Sequence, residues 1–235
     1  MREFRQTRFE ILPPVIKNLI IINALIFLAQ SVLGQDVETK IFNLFALHTW
    51  QSPLFKPWQF ITYLFLHGSI EHILFNMFAL WMFGSVLENL WGPKRFLIFY
   101  FVCGLGAAFC HMVVLYYDMQ PVVEAFNHLP YDQQQLVLSD PNFKLYEPTL
   151  GASGAIFGCL AAFGYLFPNS LMYILFLPIP IKAKWIVLGY IGVEIFLALK
   201  NSAGDDVAHV AHLGGAIFGL ILVYFWNKTN RKTLY

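Results

Sequence analysis

The chain has 235 residues, 58% hydrophobic and 17% aromatic, and only 12% charged, about half the share of a soluble domain. A water-soluble globule cannot hide that much apolar surface, and a net charge of +1 offers no basic footprint for nucleic acid. These figures exclude disorder, collagen, a coiled coil and a disulfide scaffold, and place the chain among polytopic membrane proteins.

In chain order, a basic N-terminus leads into an apolar run at 15–33 that lacks a small-residue cleavage site. It reads as a first span and not as a signal peptide. The segment 44–66 is apolar too, but Pro53 and Pro57 break it and it carries Trp50, Trp58 and Tyr63. That suits a loop lying in the membrane interface. Spans 2 and 3 follow at about 70–91 and 96–117. A polar, Gln-rich stretch at 118–149 is the one place for a small extramembrane element. Span 4 runs over 150–167 and stops at Pro168. Residues 171–180 are apolar but contain Pro178 and Pro180, and are ambiguous. A short span 5 at 185–199 and span 6 at 207–226 complete the pattern. The expected fold is all-α: one domain over 1–235, a six-transmembrane-helix bundle with short tails at about 1–14 and 227–235. Cys103, Cys110 and Cys159 all lie in apolar runs and read as small hydrophobes.

Sidedness follows from the cations. Six spans put eleven of the 15 Lys and Arg residues on the side of the termini: Arg2, Arg5, Arg8, Lys17, Lys94, Arg95, Lys182, Lys184, Lys228, Arg231 and Lys232. Only Lys40, Lys56, Lys144 and Lys200 fall on the other. The positive-inside rule then expects both termini in the cytoplasm. The acidic residues Asp118, Glu124, Asp132, Asp140, Glu147, Asp205 and Asp206 fall outside.

Polar residues inside spans are candidates for function. They are His72 and Asn76 in span 2, Glu88 at its inner end, His111 in span 3, Ser153 in span 4, Glu194 in span 5, and His209 and His212 in span 6. Spans 2, 4 and 6 all run inward; His72 and Asn76 sit in the first two turns of span 2, Ser153 in the first turn of span 4 and His212 in the second turn of span 6. The four therefore share one depth below the outer surface. The residue types fit nucleophilic catalysis: a serine hydroxyl needs an adjacent base, and imidazole is the usual one. The oxyanion formed on attack needs donors. Asn76, His72 on the same helical face, and the backbone N–H groups of Ser153 and Ala152 offer them. With no carboxylate expected beside the base, this reads as a Ser–His dyad. Gly154 and Gly158 are spaced as GxxxG, and so are Gly215 and Gly219, so spans 4 and 6 are expected to pack closely.

GASGAIFG at 151–158, AHLGG at 211–215 and HILFN at 72–76 together resemble the rhomboid family of intramembrane serine proteases. That family carries G-x-S-G at the start of its fourth core helix, A-H-x-x-G in its sixth and H-x-x-x-N in its second. The resemblance covers about residues 15–227. It implies Ser153 as nucleophile, His212 as base, and His72 and Asn76 at the oxyanion. Gly151, Gly154 and Gly215 are matched as positioning glycines, and Phe157 falls where an aromatic packs on the catalytic imidazole. Glu88, with Trp91 and Gly92 after it, resembles the end of the family's second helix. The implied partners are single-span membrane protein substrates and membrane lipids, with no cofactor, metal or nucleic acid. Three departures stand out. Trp58-Gln59 replaces the family's Trp-Arg, the loop before Ser153 is longer than in compact members, and no cytoplasmic domain precedes the first span.

Other readings compete residue by residue. Ser153 among glycines is, taken alone, a packing residue, and His72 and Asn76 also serve to staple span 2. His209, one turn above His212, is the rival base and reads better as structural or mouth-lining. His111 and Glu194 read as snorkelling groups or interhelical hydrogen bonds, and Glu88 as a pin for the inner loop. Two further functions remain: a catalytically silent binder of membrane helices, which would usually lack the serine or histidine, and a transporter, which would show repeats or broken helices.

Overall fold

A computed structural model describes residues 9–174, 177–200 and 208–230. Arg2, Arg5, Arg8, Asp205, Asp206, Arg231, Lys232 and the first residue of span 6, Val207, lie outside the described residues.

The first helix, α1 (Pro14–Val32), starts on proline, whose fixed φ suits a first turn. No neighbouring side chain caps it. After Gly34 comes α2 (Gln35–Phe45), then an irregular loop that ends in α3 (Gln59–Thr62) and a 3₁₀ turn at Tyr63–Phe65. Of the 44–66 segment read as an interfacial loop, 46–58 is a loop, and the end of α2, the whole of α3 and the 3₁₀ turn make up most of the rest. Helix α2 escaped the sequence reading because its apolar residues Val37, Ile41 and Phe42 mark one face and not a continuous run.

Span 2 is α4 (Ile70–Ala79), a π-helical stretch (Leu80–Gly84) and α5 (Ser85–Trp91) in one rod. Ser69 caps its start by accepting from the His72 N–H at 3.1 Å. Gly92 takes φ +79, which only glycine holds cheaply, and turns the chain within one residue into α6 (Pro93–Asn127). This third helix is longer than the 96–117 expected. It passes through Pro121 and carries on past the span, since the Tyr117 carbonyl, which Pro121 leaves without an N–H donor, can take its hydrogen bond from water once the helix has left the membrane. The polar stretch 118–149 is thus mostly structured. It holds the end of α6, α7 (Tyr131–Ser139) and a 3₁₀ turn at Lys144–Tyr146.

Helix α8 (Ser153–Leu166) follows, and the ambiguous 171–180 stretch forms an antiparallel ribbon of β1 (Leu171–Ile174) and β2 (Leu177–Lys182). The prolines are tolerated because a two-stranded ribbon has only edges. Helices α9 (Ala183–Lys200) and α10 (His209–Asn230) close the bundle.

Among the described residues, α1, the Ile70–Trp91 rod, α6 and α10 are long and apolar enough to cross a membrane. Helix α8 is apolar but has 14 residues, and α9 has 18 with Lys184, Glu194 and Lys200 among them. The helical membrane architecture matches the expected class, with four span-length helices among the described residues. Helices α6, α8 and α10 form its centre. A Cβ on Gly215 would fall on the Gly154 carbonyl, and one on Gly219 would lie 2.9 Å from the Gly158 Cα. The two GxxxG faces therefore meet, as expected. One on Gly214 would lie 2.7 Å from the Cys110 Cβ, so α6 closes on α10 equally tightly.

At the far end of the bundle from Ser153, Glu88 is buried and accepts the backbone N–H of Val15 and of Ile16, each at 2.9 Å. The reading of Glu88 as an inner-loop pin is corrected: it caps α1 from 72 residues away, supplying what Pro13 and Pro14 cannot. Asn89 adds a two-way clasp with the Glu10 backbone at 2.9 and 2.8 Å.

Candidate active site

The strand-like pairing of Leu47 with Thr149 (2.9 and 2.8 Å) ties the segment before α8 to the interfacial loop. His111 Nε2 holds the same threonine through its hydroxyl at 2.8 Å, so its reading as an interhelical bonding group becomes a bond from helix to loop. Gly151 then donates to the Tyr63 carbonyl at 2.9 Å, while the Tyr63 hydroxyl donates to the Gly104 carbonyl of α6 at 2.8 Å. Gly151 has φ +123, and a Cβ there would stand 2.8 Å from His72 Nε2. Glycine is needed on both counts. Two residues later α8 begins with Ser153, its N–H at an open helix start.

His212, in the first turn of α10, places Nε2 2.8 Å from Ser153 Oγ. The close glycine contact between α8 and α10 brings the two side chains within reach. The Phe157 ring lies flat on the imidazole, centroids 4.3 Å apart and planes 5° apart, which fixes the ring's rotation. Of the two histidines on α10, His212 and not His209 meets the serine.

Of the two readings of Glu194, the interhelical hydrogen bond holds and snorkelling does not. Glu194 is buried, and one oxygen, Oε2, lies 3.0 Å from His212 Nδ1 and 2.7 Å from His209 Nδ1. The expectation that no carboxylate stands near the base is therefore corrected. A usable signal was present. Helix α9 ends and α10 begins on the same side, so Glu194, six residues before the end of α9, lies about a turn in depth from His212. The depth comparison that united spans 2, 4 and 6 had only to be extended to a span running the other way. Ligand atoms of Glu194, His209 and His212 lie within 4.8 Å of one another, close enough to share a metal ion, but hydrogen bonds already link the same atoms.

On the other side of the serine, His72 Nε2 approaches the Gly151 backbone, and the Gly68 N–H points at His72 Nδ1 at 3.5 Å. Asn76, one turn on, is buried and its Nδ2 has no hydrogen-bond partner. A buried amide left unpaired is costly and calls for an explanation. His67, packed edge-on against His72 at 4.9 Å, lies in the loop before α4, where burial, with His72 adding to it, holds its imidazole down to about 3.

Gln59, where the family pattern has arginine, is fully buried. Its Oε1 accepts from Lys56 N (3.1 Å) and His48 N (3.3 Å), and its Nε2 donates to the carbonyls of Leu54 (3.0 Å), Asn43 (3.3 Å) and Leu44 (3.4 Å). One amide thus stitches both limbs of the interfacial loop. A guanidinium, which has no acceptor, could satisfy only the carbonyl half of that set.

The family model for the rhomboid domain matches residues 54–228. The chain belongs to the rhomboid family. Curated relatives of this rhomboid include Rhomboid protease GluP of Bacillus subtilis, 30% identical over 162 residues, 68% of this chain and 25% of that protein. Rhomboid protein 1, mitochondrial, of Saccharomyces cerevisiae is 27% identical over 175 residues, 72% of this chain and 41% of the relative. Rhomboid protease AarA of Providencia stuartii is 26% identical over 217 residues, 87% of this chain and 69% of the relative. This rhomboid thus spans less than half the length of the first two. The family match takes in every element that builds the serine–histidine contact, from Tyr63 to α10.

Proposed function

We propose that this rhomboid is an intramembrane serine endopeptidase acting through Ser153 and His212 on single-span membrane proteins. The observation that carries this reading is the 2.8 Å contact between Ser153 Oγ and His212 Nε2 in a partly buried setting. In acylation, Ser153 Oγ attacks the scissile carbonyl carbon and its proton passes to His212 Nε2. The C–N bond then breaks, and His212 returns the proton to the leaving amine. Water repeats the sequence: it gives a proton to His212 as its oxygen attacks the ester carbon, the C–Oγ bond breaks, His212 returns the proton to Ser153 Oγ, and the new C-terminal carboxylic acid leaves.

The tetrahedral oxyanion needs donors already in place. Asn76 Nδ2 is buried and unpaired, which suits a group whose partner exists only during the reaction. With its Nδ1 facing the Gly68 N–H, neutral His72 carries its proton on Nε2, the nitrogen nearest Gly151. The backbone N–H groups of Ser153 and Ala152 complete the set.

Sidedness is part of the same reading. The Lys and Arg distribution favours cytoplasmic termini and a site opening to the outer side. A 14-residue α8 is about 21 Å long, against roughly 30 Å of hydrocarbon, so Ser153 would lie about 10 Å below the outer face. The scissile bond should fall near the outer end of a substrate span, where helix-weakening residues free the carbonyl at least cost. Lateral access past α9 fits its glycines: a Cβ on Gly189 or Gly192 would meet nothing within 4 Å.

The test is cleavage of single-span reporters by purified protein in liposomes. Wild type should cut near the outer end and Ser153→Ala should not cut. Equal cleavage by Ser153→Ala, or no cleavage by wild type across a broad reporter panel, would remove this reading.

A further inference from the structure

We propose that Glu194 is a positioning residue for the base, so that the site is a Ser153–His212–Glu194 triad with His209 as a second anchor of the carboxylate. The inference rests on the proteolytic reading of Ser153 and His212. A carboxylate accepts hydrogen bonds and does not donate them. With Glu194 Oε2 3.0 Å from His212 Nδ1, that nitrogen carries the proton. The neutral ring then has its lone pair on Nε2, which faces the Ser153 hydroxyl at 2.8 Å. One hydrogen bond selects the tautomer that acts as a base toward serine. Once Nε2 takes the serine proton, the same carboxylate stands beside the imidazolium and stabilises it in a buried, low-dielectric setting.

His209 contributes to this arrangement. Its Nδ1 lies 2.7 Å from the same oxygen, so two N–H groups on α10 converge on one atom of α9. The Glu194 carboxylate is thereby held at one oxygen by both rings, and Phe157 fixes the His212 imidazole face. The roles divided between the two histidines in sequence terms become one unit: His212 reacts, and His209 holds the group that orients it. A mere staple between α9 and α10 would need only one of these bonds and no defined tautomer. Access past α9 is also constrained, because an outward swing of the helix at Glu194 would separate the carboxylate from the base.

The test uses a small fluorophosphonate on the full chain in detergent. Ser153 Oγ forms the O–P bond, the P–F bond breaks, fluoride leaves, and the hydroxyl proton goes to His212. Glu194→Gln keeps the shape and removes the charge. It should lower the maximal inactivation rate about a hundredfold or more, with the half-saturating concentration and the melting temperature little changed. Glu194→Asp should restore part of the rate. His209→Ala should retain measurable labelling, at a rate between the wild type and Glu194→Gln. Labelling by Glu194→Gln within about threefold of wild type, with Ser153→Ala unlabelled, overturns the triad and leaves the proteolytic reading intact. A second measurement covers the case in which the variants do not fold or the wild type is inert. The ¹⁵N spectrum of wild-type histidine, assigned against His212→Ala, should show His212 protonated at Nδ1 and bare at Nε2. The opposite tautomer overturns the proposal.

Discussion

Two glutamates are buried in this membrane bundle at opposite ends, Glu88 and Glu194, and their partners differ in kind. Glu88 takes two backbone N–H groups at the start of α1. Those donors have no other chemistry, and the result is a cap that fixes where the first helix begins. Glu194 takes two imidazole N–H groups, one of them on the ring that faces Ser153. Those donors can change protonation and tautomer, so in the proposed triad the same carboxylate governs reactivity. Burial of a charge in a membrane helix marks importance in both cases, and only the identity of the donors separates architecture from chemistry.

The exchange experiment breaks the comparison most sharply. Glu194→Gln should remove a hundredfold or more of the Ser153 reaction rate while sparing stability. Glu88→Gln should do the reverse, because an amide NH₂ would face one of the two N–H groups it must accept. Leaving one such buried donor unpaired costs about 1–3 kcal/mol, a melting shift of roughly 5 °C, with activity per folded molecule near wild type. If both variants lose stability alike and neither changes the reaction rate per folded molecule, the two sites are the same kind of staple.

Gly215→Ala tests whether helix spacing or the carboxylate is the stricter requirement at the Ser153 end. The new methyl would strike the Gly154 carbonyl and push α10 from α8. A displacement near 1 Å is worth about a hundredfold in rate, read as labelling of Ser153 with Glu194 still in place. Unchanged labelling would mean that the bundle yields without moving His212.

Asn76→Ala sharpens the contrast from a third direction, since this buried amide has no partner at rest. Turnover should fall about a hundredfold with KM little changed, and stability should hold or rise because an unpaired polar group is removed. A defect confined to KM would count against the oxyanion role.

The smallest effect concerns the loop beside the site. His67 is buried, and burial holds its folded pKa down to about 3. Unfolded, it takes a proton near the ordinary histidine value of about 6.5. Stability is therefore unaffected above pH 7 and falls as pH drops from about 6.5 toward 3. Melting curves of wild type and His67→Phe should diverge over that window. Parallel curves would show that the loop opens to water before the rest melts.

Much of this was legible in the sequence because membrane spans are written in continuous apolar runs, and because inward-running helices carry the residues of their first two turns to one depth. Ser153, His212, His72 and the paired glycine faces came from those two facts together. Glu194 did not, since it lies on a helix running opposite to those three and the depth comparison stopped short of it, and depth alone leaves open which face of α9 turns toward the bundle. Glu88 was noticed but misassigned, because a bond across 72 residues to a proline-started helix leaves no local signature. Helix α2 and the ribbon at 171–182 were invisible to a search for span-length runs. Gln59 stood out as a departure from the family pattern, yet its five backbone partners are apparent only once the loop is folded around it.

The central claim is that Ser153 is a nucleophile activated by His212. Its most direct measurement is peptide mapping by mass spectrometry after exposure of the full chain to a fluorophosphonate. The account predicts a single phosphonyl adduct on Ser153 in the wild type and none in His212→Ala. An adduct on another residue, or equal modification of Ser153 in His212→Ala, would contradict it.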